Sequence, residues 1–168
     1  KGAFPAILED ENYGAAARDL FADAGTMLEK ITTEKWLTAR AVIGFFPAGR
    51  NGHDDVEIYA SDDRGDPAVT IHFLRQQMHK TGERSNHCLA DFVAPKDGGP
   101  EDYLGGFAVT AGIGIEKKLA EFEANHDDYN GILLKALADR LAEAFAERMH
   151  ERVRLEFWAY AENETLES

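Results

Sequence analysis

Asp139 and Glu143 stand four residues apart with Arg140 between them, in a stretch whose apolar residues recur at helical spacing. On a helix this spacing puts both carboxylates on one face, a turn apart, with the guanidinium beside them. Two readings are open. The group is either a solvated face holding a local ion pair, worth ~0.3–0.5 kcal/mol, or an anionic patch suited to a cationic ligand such as an amine or a sulfonium. His126-Asp127-Asp128-Tyr129-Asn130 opens the same stretch. Its acids also have a plain structural use, since carboxylates at a helix N-terminus complement the helix dipole.

Other residue groups carry weaker chemistry. Val109-Thr110-Ala111-Gly112-Ile113-Gly114 runs a strand into Gly-x-Gly and a helix, but Lys117 falls where a nucleotide-binding fingerprint needs its third glycine. Glycines easing a strand-to-helix turn account for it. His72, His79, His87 and Cys88 include metal-ligand types, yet adjacent His87 and Cys88 diverge, and no CxxC, HxxxH or HExxH pair occurs. His72 reads as a residue on a sheet face and Cys88 as a small buried apolar residue. No metal site and no catalytic residue are assigned. There is no phosphate-binding loop, and no nucleophile stands beside a local base.

The elements that must position these residues follow from periodicity. Glu123 to Tyr160 reads as one long amphipathic helix. Its apolar positions are Ile132, Leu133, Ala136, Leu137, Leu141, Ala144, Phe145, Met149 and Val153. Residues 12–30 form a first helix that Thr32-Thr33-Glu34 interrupts. Three short strands follow, 40–46, 56–59 and 68–74, separated by turns at 48–52 and 62–66, which is a β-meander. Residues 75–86 run along the surface, 89–93 is ambiguous, and 95–100 is a loop. Residues 103–110 form a strand weakened by Gly105 and Gly106, and 115–125 a helix. The expected class is α+β: an antiparallel sheet flanked by helices, with a long C-terminal helix, in a single domain over residues 1–168.

Composition sets outer bounds. The chain has 168 residues, 44% hydrophobic and 29% charged, enough for a core without metals or disulfides. One cysteine fits a reducing, cytoplasmic setting. A net charge of −13 argues against nucleic-acid binding. No apolar run approaches the ~20 residues of a membrane span. The chain starts at Lys1 without an initiator methionine and stops at polar, cap-type residues, Thr165 to Ser168, so its ends read as those of a piece of a larger protein.

Several segments stand out in order and spacing: Phe4 to Asp10, Ala41 to Ala48, Asp54 to Tyr59, Leu74 to Gln77, Cys88 to Pro95 and Gly106 to Thr110. The longest is His126 to Asn130, continuing through Lys135 to Glu147 and His150 to Arg154. Together they resemble the activation domain of cobalamin-dependent methionine synthase. The resemblance covers nearly the whole chain. It implies a part of methionine synthase that reactivates the enzyme: S-adenosylmethionine donates a methyl group to regenerate methylcobalamin from cob(II)alamin, with an electron from flavodoxin or a flavoprotein reductase. The cofactors implied are S-adenosylmethionine and a cobalamin held by a neighbouring domain. That domain and the flavoprotein are the implied partners of a monomer.

The resemblance also implies residue roles. Glu143 matches a family glutamate that contacts S-adenosylmethionine, Arg140 flanks it in the same site, and Asp139 faces the docked cobalamin domain. An Arg-Pro-x-Pro-Gly-Tyr-Pro segment of the family's ligand site would follow Ser168, and an aspartate of the same pocket would precede Lys1. The 168 residues alone are therefore expected to be inactive and to bind the ligand weakly. Arg148, Arg152 and Arg154 are candidates for a basic patch that receives an acidic flavodoxin. The competing class is a non-catalytic acidic α+β protein-interaction module in which Asp139 and Glu143 are merely solvated.

Overall fold

The computed structural model describes residues 4–80, 82 and 84–161. In chain order the main elements are α1 (Gly14–Thr33), β1 (Thr38–Asn51), β2 (Asp55–Ile58), β3 (Val69–His72), β4 (Asp102–Ile113), α2 (Ile115–Ala124) and α3 (Asp128–Arg152). The strands make one four-stranded sheet in the order β3-β2-β1-β4. β1 to β3 form the expected meander, antiparallel in the registers Ala48↔Ile58 through Asn51↔Asp55 and Asp55↔His72 through Ile58↔Val69. The class is α+β, with an antiparallel sheet, flanking helices and a long C-terminal helix.

Contacts divide the chain into two compact units, Lys1–Val42 with Ala108–Ser168, and Ile43–Phe107. The first unit is built on the apolar stripe of α3. Leu133, Leu134 and Leu137 are buried against Met27 and Ile31 of α1, with Trp36, Leu119, Phe122 and Leu141 packed round them. Leu134 is fully buried. Ile132, expected on this stripe, is 68% exposed, because the helix turns its neighbours Leu133 and Leu134 inward and leaves Ile132 on the far side.

The long C-terminal helix is shorter than the periodicity suggests, and two interruptions bound it. His126 adopts a left-handed backbone (φ 55), and Asp127 caps α3 by accepting from the backbone N–H of Asn130 at 3.1 Å and from its side-chain amide at 2.7 Å. Glu123 to Tyr160 is therefore α2's last turn, a capped joint and a 25-residue helix. Past Arg152 the chain loosens into a π-turn, Val153–Phe157.

α1 includes the threonines expected to interrupt it and ends on Thr33. Thr32 and Thr33 donate their hydroxyls to the carbonyls of Leu28 and Glu29, each at 2.8 Å, which satisfies them inside a helix. The helix closes on the residues directly after them. The Trp36 N–H returns to the Ile31 carbonyl at 3.2 Å, the closing bond of a Schellman cap. The residue at the left-handed position of that cap is Lys35, with φ 54. A side chain there costs ~1 kcal/mol where glycine would cost nothing.

β1 continues through Pro47 and residues 48–51, expected as a turn. Pro47 has no N–H to donate, and its carbonyl accepts from the Tyr59 N–H at 2.9 Å, so the proline is tolerated there. Gly49 admits a close neighbour, since a Cβ at that position would lie 2.8 Å from the Lys96 Cβ. The turn falls at Gly52, whose φ is 66. The second unit packs Ala48, Val56, Cys88, Ala90 and Val93 together, with Phe73 and Leu104 against them. Cys88 is buried at 3% exposure, the small apolar role expected of it.

The α1–α3 core makes a direct forecast. Leu134→Ala should cost ~2–5 kcal/mol by leaving a cavity between α1 and α3, read as a lowered denaturation midpoint. A loss below ~1 kcal/mol would contradict the packing described.

Candidate functional site

Burial of Leu133, Leu134 and Leu137 fixes how α3 is rotated, and with about 100° per residue it turns Asp139 and Glu143 to the opposite side. Arg140 joins them. Its guanidinium meets the Asp139 carboxylate at 2.7 Å and the Glu143 carboxylate at 2.6 Å. The three predicted site residues thus form one ion-paired cluster. All are open to solvent, with side-chain exposures of 67% for Asp139, 65% for Arg140 and 58% for Glu143. The hydrogen bond it donates to Asp139, with the Glu143 charge, holds the Arg140 guanidinium above its ordinary pKa. In water such pairs stabilise the fold little. A carboxylate held next to a guanidinium is also the electrostatic complement of an amino-acid zwitterion.

The His126 to Asn130 segment has a positional role. Besides Asp127's capping bonds, the Tyr129 hydroxyl donates to the Asp23 carboxylate at 2.7 Å and ties α3 to α1. The capping bonds lower the Asp127 pKa, first through the Asn130 side chain and then through its backbone N–H. Gly114 serves as the strand-to-helix hinge, with φ 96 and the Trp36 carbonyl 3.3 Å from where a Cβ would stand. His72 sits exposed on β3, its Nδ1 2.8 Å from an Asp55 carboxylate oxygen. Among the described residues no three His, Cys, Asp or Glu side chains cluster as metal ligands. None of the described helices is long and apolar enough to cross a membrane.

The three arginines expected to form a basic patch are engaged locally. Arg148 pairs with Glu151, Arg152 pairs with Glu156 at 2.8 Å, and Arg154 lies over the Tyr160 ring at 5.3 Å. The Arg148 and Arg152 charges are thereby offset within a turn of the chain.

Two polar constellations of the second unit were missed by sequence reasoning. Arg75 uses every N–H of its guanidinium. It donates to Asp54 at 2.9 Å, to both Asp91 oxygens at 2.8 and 2.7 Å, and to the carbonyls of Asn86 at 2.8 Å and His53 at 3.0 Å. Asp91 also accepts the Cys88 N–H at 2.9 Å. The pairing with Arg75, then the Cys88 bond, holds the Asp91 carboxyl well below the usual range. Glu57, 8% exposed, accepts from the Tyr59 hydroxyl at 2.8 Å, the Asn51 amide at 2.6 Å and the Lys96 ammonium at 3.1 Å. The Tyr59 bond leads in lowering its pKa, ahead of the opposing effect of burial. Both carboxylates are fully partnered, so they fasten loops and do not stand ready for proton transfer. The only signal in the sequence was that Arg75, Asp54 and Asp91 all lie in segments that carry the family resemblance.

The exposed Asp-Arg-Glu cluster thus stands on the long helix of an α+β domain. Over residues 1–168 the sequence matches the vitamin B12-dependent methionine synthase activation domain, and the chain belongs to that family. It is similar in structure to a MetH reactivation domain solved bound to AdoHcy, with a TM-score of 0.86 and 56% sequence identity. The match covers 99% of this chain and 50% of that one, so the chain spans about half the length of that relative.

The Arg75 pairing predicts an acid limb of stability with a definite sign. The Asp91 pKa is lower folded than unfolded, so the pair's contribution is present above the ordinary aspartate value of 3.8. It is lost as pH falls below that value towards the folded pKa. Asp91→Asn should flatten thermal stability between about pH 4 and pH 2, measured by Tm. Arg75→Lys should lower Tm even at neutral pH, because an ammonium cannot reproduce five fixed donors. An acid limb unchanged in Asp91→Asn would contradict the assignment.

Proposed function

We propose that this chain is the part of a methionine synthase that restores the enzyme after its cobalamin is oxidised, binding S-adenosylmethionine as the methyl donor. One observation carries the reading. A domain 56% identical over 99% of this chain was solved with AdoHcy bound, and AdoHcy is what remains when S-adenosylmethionine gives up its methyl group. The cobalamin belongs to a neighbouring domain of the same polypeptide and supplies the nucleophile that accepts the methyl group. The sulfonium sulfur keeps the bonding pair and leaves as a neutral thioether. An electron from flavodoxin or a flavoprotein reductase precedes the transfer. The irreversible methylation draws that unfavourable reduction forward, and the protein's share is positioning.

Within this scheme Glu143 receives the positive amino end of the ligand, Arg140 its carboxylate, and Asp139 faces the docked cobalamin domain. Ligand entry exchanges one internal ion pair for two cross-pairs, so no charge is left unmatched. The exposure of all three side chains fits a site closed by further polypeptide when the domains dock. The setting is the cytoplasm and the domain acts as a monomer.

Titration calorimetry with S-adenosylhomocysteine tests the placement. In a methionine synthase carrying this domain, Glu143→Gln and Arg140→Ala should each weaken binding about tenfold or more, and the 168-residue chain alone should bind weakly. Unchanged affinity in both variants would remove the ligand from this face of α3, and tight binding by the 168 residues alone would overturn the need for further polypeptide to close the site.

A further inference from the structure

On the other side of α3 lies an open apolar groove of about 460 Å³, formed by α1's end, the start of β1, β4 and α3. Ile31, Leu37, Ala111, Leu141 and Phe145 line it, and Lys35 is the one charged residue at its wall among the described residues. Its volume falls in the range of small-molecule sites, which are mostly apolar with a few polar groups that orient the ligand. Leu141 and Phe145 are turned well away from Asp139 and Glu143, so the groove is distinct from the ion-paired cluster.

Lys35 is the unusual member. It occupies the left-handed position of the α1 cap, with φ 54, where glycine is the ordinary residue. The Lys35 side chain has no hydrogen bond or ion pair among the described residues. The left-handed turn itself closes α1, but a lysine where glycine would close it without strain is the kind of outlier that points to a functional constraint. Lys35 also borders an adjoining cleft with Lys117 and Lys118, where Glu34 and Glu121 supply the opposing charges. Lys118 is already paired with Glu121 at 2.7 Å. The wider protein carries −13 and repels anions, so an anion is held here only through this local cation.

We propose that the groove binds an amphipathic carboxylate, with an acyl or aryl body lying along Leu37, Leu141 and Phe145 and its anionic end on the Lys35 ammonium. Lys35 is kept in a strained cap because the left-handed turn carries its side chain to the groove's mouth. The site takes its selectivity from one charge: a neutral or cationic amphiphile of equal length fills the same apolar wall and leaves Lys35 unmatched.

The test uses the 168-residue chain with decanoate, and with anilinonaphthalene sulfonate as a fluorescent reporter. Expected are saturable binding of one reporter per chain, its displacement by decanoate, and at least about tenfold weaker displacement by decyltrimethylammonium. Lys35→Gln should weaken decanoate about tenfold. Lys35→Gly should do the same while raising Tm, since it relieves the cap, and this separates binding from stability. Ala144→Phe, which fills the groove from an exposed helix position, should abolish saturable binding. The proposal is overturned if Lys35→Gln keeps full affinity, if the cationic amphiphile competes equally, or if Ala144→Phe changes nothing.

Discussion

The rotation of α3 about its own axis is the constraint on which the first unit depends. Leu133, Leu134 and Leu137 bury themselves against Met27 and Ile31, and this single packing decides where every other side chain of the helix points. Asp139, Arg140 and Glu143 are turned to solvent as one ion-paired cluster. Leu141, Ala144 and Phe145 border the apolar groove. A helix with one stripe in the core has no freedom to exchange these faces, since each residue advances by about 100°. Two surfaces of different chemistry therefore sit on one rigid element, which favours precision over adaptability.

What holds α3 in place is polar and lies at its start. Asp127 closes the first turn on Asn130, and Tyr129 reaches Asp23 across to α1. The His126 to Asn130 segment is a joint at a helix N-terminus, the structural use its acids suggested. In the second unit the fasteners are charged groups also. Arg75 saturates its five donors on two carboxylates and two carbonyls, and Glu57 is met by three donors. Short strands and 3-10 turns bury too little apolar surface to define long loops, and fully partnered charges supply the missing geometry.

The three residues singled out on α3 do come together, and their spacing alone was enough to place them on one face. Their exposure was not legible, because a hydrophobic stripe shows which residues go inward but not whether the outer face meets water, ligand or another domain. The long helix was over-read at its start for a local reason. The helical reading was carried back across Asn125-His126-Asp127 ahead of its first apolar position, Ile132, while a left-handed His126 lets Asp127 cap a new helix there. At the end of α1 the helix takes in Thr32 and Thr33, whose hydroxyls found carbonyls one turn back, and closes at Glu34, within the segment read as its interruption.

By itself the amino-acid sequence determined the class, the meander of β1 to β3, the helical character of 128–152 and the family, because these rest on periodicity and residue order within short stretches of chain. Tertiary structure alone decided that β4 lies beside β1, that Arg75 meets Asp91 16 residues away and that Lys96 meets Glu57 39 residues away. It also decided that Lys35 stands at the rim of an apolar groove. Hydrophobic patterning specifies which face is buried, whereas the partner on that face is chosen by packing in three dimensions, and no local pattern records it.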